Sequence, residues 1–152
     1  FMTCVIVDDL SNTHDDKVKC WGNNENGQLG LGDMNHRGNN GTTGAMGNSL
    51  AFVDLGTGRT AKSIAIGGRS TCAILDNDTV KCWGEGFGVS SSGRGMLGYG
   101  DTNDRGDASG EMGDALPTVN LGTGRTAKKI MASYSNVCAI LDNNLVKCWG
   151  SN

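Results

Sequence analysis

The sequence has a single proline, Pro117, and no apolar run near the ~18 residues that a membrane-crossing helix needs. Membrane insertion is therefore not expected. Long helices are not expected either, because every apolar stripe of helical period is interrupted by glycine. Lys and Arg are scattered and the net charge is −3. A nucleic-acid partner calls for basic residues clustered on one face to displace counterions from phosphate, so no nucleic acid is expected. The two histidines, His14 and His36, stand in polar stretches with no Ser or Cys context around them. No nucleophile–base pair is visible, and the chain is read as a non-enzyme without catalytic residues. The six cysteines include no Cys-x-x-Cys and no Cys/His cluster, the close spacings that zinc takes, so no metal and no cofactor is expected. Phe1 to Val7 runs straight into Asp8 and Asp9 without a basic leader and is not read as a signal peptide. The first residue is not Met, which suggests a processed chain or an excerpt.

Glycine, by contrast, is plentiful. The 25 glycines are well over twice the usual share of about 7%, which suits many short strands joined by tight turns. They also belong to a repeat. Gly56-Thr-Gly-Arg-Thr-Ala-Lys62 returns as Gly122-Thr-Gly-Arg-Thr-Ala-Lys128. Cys72-Ala-Ile-Leu-Asp-Asn returns at the same interval from Cys138, and Val-Lys-Cys-Trp-Gly occurs three times, ending at Gly22, Gly84 and Gly150. Gly27-Gln-Leu-Gly-Leu-Gly-Asp33 answers to Gly95-Met-Leu-Gly-Tyr-Gly-Asp101. The chain is read as one repeat domain, 1–152, with repeat boundaries near 1–22, 23–84 and 85–150.

Each repeat reads as short strands. Phe52–Leu55 and Thr118–Leu121 form one equivalent pair, Ile64–Ile66 and Ile130–Ala132 the next. A hairpin follows from Cys72 to Leu75 and Thr79 to Trp83, with Asx residues at its tip. If Cys72 faces Cys82, then Ile74 faces Val80 and Leu75 faces Thr79, and the Cys and Ile–Val pairs share one face. The same pairing sets Cys138 against Cys148 and Ile140 against Val146. In the first copy, with a longer tip from Asp8 to Asp16, it sets Cys4 against Cys20 and Ile6 against Val18. One register serving three hairpins predicts three local disulfides, each stabilising its hairpin by about 2–3 kcal/mol. Disulfides imply an oxidising compartment, so an extracellular or cell-surface location is expected. Trp21, Trp83 and Trp149 are expected at equivalent, largely buried positions, with Trp149 the exception because its next blade is absent.

Val80-Lys-Cys-Trp-Gly84, the run from Trp21 through Asn24, Gly27-Gln-Leu-Gly30 to Asp33, and the Gly67-Gly68 turn resemble the regulator of chromosome condensation repeat, in its secreted, cysteine-containing form. That resemblance implies an all-β fold of antiparallel propeller-type blades of four strands, normally seven to a ring. Here about two repeats plus an extra hairpin are present, as a partial propeller or an open array. The second copy departs from the family pattern over Glu85–Arg94, which should alter one inter-blade loop. Ser70 and Asn136 stand where family members often carry histidine. The family's nuclear member is an exchange factor for a small GTPase and contacts chromatin, but the disulfides and the missing basic patch oppose carrying that over.

Other features have plain readings. The oxygen-rich loop Asp101–Asp107, followed by Glu111 and Asp114, half resembles a calcium loop, but Arg105 occupies a ligand position and turn-capping with an Arg–Asp pairing is expected instead. Arg105-Gly-Asp107 spells an adhesion tripeptide, and its counterpart Arg37-Gly-Asn39 marks Arg-Gly as part of the repeat's own turn. Asn40 and Asn77 head glycosylation sequons in a glycine-rich loop and at a hairpin tip. The leading functional expectation is an extracellular structural or self-assembling repeat protein, completed by copies of itself or by further blades of a longer chain. The alternative is a secreted propeller-type module that binds a protein or glycan partner. Aromatic-rich rim loops would favour the module, and the few aromatics give it little support.

Overall fold

The computed structural model describes residues 1–8, 16–38, 46–87 and 95–151. It contains eight strands among these residues: β1 (Met2–Val7), β2 (Lys17–Gly22), β3 (Ala61–Ile66), β4 (Ser70–Leu75), β5 (Val80–Gly84), β6 (Ala127–Ala132), β7 (Asn136–Leu141) and β8 (Val146–Gly150). They form three antiparallel sheets ordered β1-β2, β3-β4-β5 and β6-β7-β8. Single 3-10 turns at Gly47–Ser49 and Gly113–Ala115 punctuate the two long connections.

The register of the hairpins follows from their sequence. Cys4 lies opposite Cys20 and Ile6 opposite Val18. Cys72 and Ile74 lie opposite Cys82 and Val80, and Cys138 and Ile140 opposite Cys148 and Val146. Leu75 donates its N–H to the Thr79 carbonyl at 2.9 Å, closing a tip in which Asp78 takes a positive φ of 64°. Asn144 does the same in the third hairpin at 66°, a backbone conformation in which Asp and Asn are tolerated better than most side chains. Disulfides join Cys4–Cys20, Cys72–Cys82 and Cys138–Cys148, with Cα separations of 4.1, 4.0 and 4.1 Å. Such short separations mark non-hydrogen-bonded cross-strand pairs, where side chains stand closest. The long tip of the first hairpin, residues 9–15, lies outside the described residues, as does His14.

Two expected strands are not strands. Phe52–Leu55 and Thr118–Leu121 run extended and bury alternate residues, Val53 and Leu55, Val119 and Leu121. Each makes one backbone bond to a hairpin: Val53 N–H to the Val18 carbonyl and Val119 N–H to the Val80 carbonyl, both at 2.8 Å. Gly56 and Gly122, at φ 112° and 111°, then turn the chain away before a ladder can form. The fourth position of the blade is filled, but by a segment held mainly through its side chains.

The sheets pack face to face in series. The middle sheet is covered on both faces, and every residue of β4 and β5 is buried. One core joins Cys4, Val18 and Cys20 to Ala73, Leu75 and Trp83 of the middle sheet. The other joins Cys72, Ile74, Val80 and Cys82 to Ile130, Val137 and Ala139 of the third. The cysteine face of each hairpin thus looks towards the next repeat, and the tryptophan face looks back to the previous one.

Candidate functional site

The repeat's most regular side-chain chemistry lies in the seams between blades. Trp83 is fully buried, and its indole Nε1 donates to the Gln28 carbonyl at 3.1 Å, which the Thr71 hydroxyl also bonds at 2.9 Å. A Cβ on Gly30 would stand 2.7 Å from that indole nitrogen, so the socket for tryptophan exists because position 30 has no side chain. Gly98 offers the same opening to Trp149, where a Cβ would stand 2.9 Å from Nε1. Trp149 is half-buried, its Nε1 without an acceptor. Trp21 is also half-buried and lies beside Gly38. The expected exception does not hold: because the indoles face backwards, Trp149 has a seam at Gly98.

A lysine that sequence reasoning passed over ties the seam together. Counted in space, a repeat is a hairpin with the connection and extended segment that follow it, since 52–55 bonds the first hairpin and 118–121 the second. Lys81, 6% exposed, then donates to the Leu55 carbonyl of the previous repeat at 3.0 Å and to the Gly113 carbonyl of its own at 2.8 Å. Burial lowers its pKa, opposed by the nearby carboxylates of Asp114 and Asp54. Lys19 keeps the own-repeat bond, to the Gly47 carbonyl at 2.9 Å, and Lys147 keeps the backward one, to the Asn120 carbonyl at 3.0 Å. The signal was the invariant Lys in three copies of one pentapeptide.

The loops are held by their own side chains. Asn24 is buried, donating to the Asp33 carbonyl at 2.7 Å and accepting from the Leu29 N–H at 2.8 Å. His36 accepts the Asn24 N–H on Nδ1 at 3.0 Å, a structural use of the imidazole. In the second copy Gly86 replaces Asn24, and its N–H bonds the Asp104 carboxylate at 2.8 Å instead. The altered loop after Glu85 lies outside the described residues over 88–94. Asp101 holds Arg105 at 2.9 Å just as Asp33 holds Arg37 at 2.7 Å. The Arg105 hydrogen bond keeps the Asp101 carboxyl below the usual range. Arg105 also donates to the Asn103 carbonyl and stacks 5.0 Å from the Tyr99 ring. With its guanidinium so engaged, the Arg105-Gly-Asp107 tripeptide is a clasped turn. Glu111 accepts from the N–H groups of Gly106 and Ala108, and burial followed by its hydrogen bond to Glu111 raises the Asp107 pKa. Asn77 is exposed at its hairpin tip, where its Oδ1 accepts from the Thr79 hydroxyl at 2.7 Å. Asn40 lies outside the described residues.

Equivalent positions in the middle and outer sheets differ in exposure. Val80 is fully buried, while its equivalent Val146 is 64% exposed, and Met131, paired with Cys138, is 58% exposed. Cys148 is exposed where Cys82 is not. On the opposite end face, Val5 is 38% exposed and its equivalent Ala73 fully buried.

Comparison with known proteins agrees with this geometry. Residues 61–94 match the family described as regulator of chromosome condensation (RCC1) repeat. No curated protein sequence matches the chain. A structure of Kap60 bound to yeast RCC1 (Prp20) is similar at 18% identity and a TM-score of 0.57, over 88% of this chain and 28% of that one. Human WBSCR16 is similar at 18% identity and a TM-score of 0.56, over 91% and 30%. The entire ectodomain of the Physcomitrella patens receptor kinase CR4 is similar at 20% identity and a TM-score of 0.50, over 98% and 27%. The chain thus spans less than a third of the length of these solved proteins. Residues 61–94, with the Cys72–Cys82 pair among them, thus match the RCC1 repeat, and the sheets have the fold of RCC1-type propeller blades.

Proposed function

We propose that this chain is an extracellular, non-catalytic interaction protein whose two end faces are completed by further blades of its own kind. Those blades come from other copies of the chain or from more of the same polypeptide. The observation that carries the reading is the contrast between Val80, fully buried, and Val146, 64% exposed, at one position of one repeat. A face that is core in the middle blade is surface in the last, and repeats of this kind bury their faces only against neighbours. Three disulfides support an oxidising compartment. The likeness to a receptor kinase ectodomain supports a fold that can serve outside a cell. Sedimentation velocity of the purified chain over a concentration series tests the reading. Association that Val146→Lys abolishes supports completion by other copies, and a monomer at every concentration refutes completion by copies and leaves further blades of the same polypeptide.

A second reading, a module binding a protein or glycan, rests on the cleft of about 620 Å³ bounded by Met2, Gly68, Arg69 and Tyr134 at the inner ends of the sheets. Glycans attached at Asn40 and Asn77 belong to either reading, and mass spectrometry of the secreted protein decides their presence.

A further inference from the structure

Met46-Gly47 of the first connection recurs as Met112-Gly113 of the second, and each methionine stands beside a glycine and a hairpin tryptophan. A Cβ on Gly38 would lie 3.4 Å from Met46 Sδ and 3.5 Å from Trp21 Cδ1. A Cβ on Gly106 would lie 3.1 Å from Met112 Sδ, and one on Gly30 would lie 3.0 Å from Met112 Cε and 2.7 Å from Trp83 Nε1. Met112 therefore lies across the middle seam, with Gly30 in the first connection, Gly106 in the second and Trp83 in the hairpin between them. A thioether suits such a niche, being unbranched, polarisable and able to rest against an aromatic ring.

The two niches differ in their access to water. Met46 is 50% exposed. Met112 is half-buried against the core that holds Trp83 and Leu29, and it lines a cavity of about 240 Å³ bounded also by the exposed residues Ala51, Asp54, Ser109 and Gly110. One water needs about 10–15 Å³, so a reagent little larger than water enters freely. The indole and turn N–H groups that form the niche are already used. Trp83 Nε1 bonds the Gln28 carbonyl at 3.1 Å, Gly30 N–H the Gly27 carbonyl at 2.8 Å and Gly106 N–H the Glu111 carboxylate at 2.9 Å. Two more N–H groups join the connections to each other, Gly32 to the Gly106 carbonyl at 3.1 Å and Gly113 to the Asp54 carbonyl at 3.0 Å.

We infer that Met112 is an oxidation site, at which hydrogen peroxide converts the thioether to a sulfoxide and so unclasps the first connection from the second. The O–O bond breaks as an S–O bond forms. Sulfur loses two electrons, and the other peroxide oxygen keeps both protons and leaves as water. The product has a polar oxygen in a niche whose N–H groups are taken, an arrangement costly enough to drive the side chain out into the cavity. Gly106 then loses its packing on Gly30, and the Gly32 and Gly113 amides become open to exchange. At Met46 the same oxygen reaches water without any movement, so of the two methionines Met112 is the sensitive one.

Graded treatment of the 152-residue chain with hydrogen peroxide, read by peptide mass spectrometry and by amide exchange in NMR spectra, tests this. Sulfoxide is expected at Met112 ahead of Met96, which is 2% exposed. Exchange at the Gly32 and Gly113 amides should rise by about tenfold or more as Met112 oxidises. Met112→Leu keeps an apolar side chain of similar volume in the niche, and peroxide should leave both its amides unchanged. Met46→Leu should respond to peroxide as the unaltered chain does. Met112→Gln, which puts a side-chain oxygen in the niche without an oxidant, should raise both rates by itself. Oxidation of Met112 no earlier than Met96, a rise that persists in Met112→Leu or vanishes in Met46→Leu, or unchanged exchange in Met112→Gln would each overturn the inference.

Discussion

Asp114 of the second repeat closes on Thr57 of the first, accepting its N–H at 2.9 Å and its hydroxyl at 2.6 Å. These two bonds, the side-chain one first, hold the Asp114 carboxyl below its ordinary value of 3.8. A carboxyl depressed in the folded state contributes stability that is full above the unfolded pKa and is lost as pH falls through the folded one. The latch should therefore hold down to about pH 3.8 and open below it. An NMR titration of Asp114 should give a midpoint below 3.8 that moves up towards it in Thr57→Val; an unmoved midpoint would show that the hydroxyl plays no part.

Lys81 should matter more than its two counterparts. Lys81→Met takes the ammonium donor from the buried Leu55 carbonyl and leaves the Gly113 carbonyl only the Leu116 N–H, and a loss of about 1–3 kcal/mol is expected in urea unfolding. Lys19→Met and Lys147→Met each remove one bond at a less buried position, and smaller losses are expected. Equal losses for all three would mean that the double seam contact adds nothing.

Gly30→Ala sets a Cβ against the Trp83 indole at a backbone φ of 69°, and about 1–3 kcal/mol of destabilisation should follow. Gly58→Ala is the control. It has a φ of 67° and open space around it, so the difference between the two variants isolates the tryptophan socket.

The three disulfides should not be equally reactive. Cys72 and Cys82 are fully buried, whereas Cys148 is exposed. Limited reduction under native conditions, with alkylation and peptide mass spectrometry, should label Cys138 and Cys148 first and Cys72 and Cys82 last. Simultaneous labelling of all six would indicate that reduction proceeds through global unfolding.

Much of this was legible in the residues, for a reason that can be stated. A disulfide across an antiparallel hairpin fixes the register of every other pair, so Ile6–Val18, Ile74–Val80 and Ile140–Val146 follow from the cysteines alone. The segments at 52–55 and 118–121 were misread because alternating burial resembles a strand even when a single backbone bond holds it. Which way Trp83 faces was not legible either. A period of two tells which residues share a face, but not which neighbour that face meets. The Lys81 contacts were hidden because a lysine between valine and cysteine reads as a solvent-facing strand residue, and only the second carbonyl, from a separate repeat, makes burial tolerable.

Tyr99 spans the Cys82 backbone, its hydroxyl donating to the carbonyl and accepting the N–H, both at 2.9 Å. Burial pushes its pKa up to about 12. Tyrosinate absorbance should show an ionisation near that value that disappears in Tyr99→Phe.

Each indole that sits in a seam rests on residues made before it. The socket at Gly27–Gly30 leaves the ribosome ahead of Trp83, and that at Gly95–Gly98 ahead of Trp149. The glycine side of these two seams is thus made before the indole that enters it, and Met112, which also borders Gly30, comes after. A nascent chain halted between two repeats would therefore expose a waiting socket and the apolar cysteine face of its last hairpin, and not the tryptophan that is still to come.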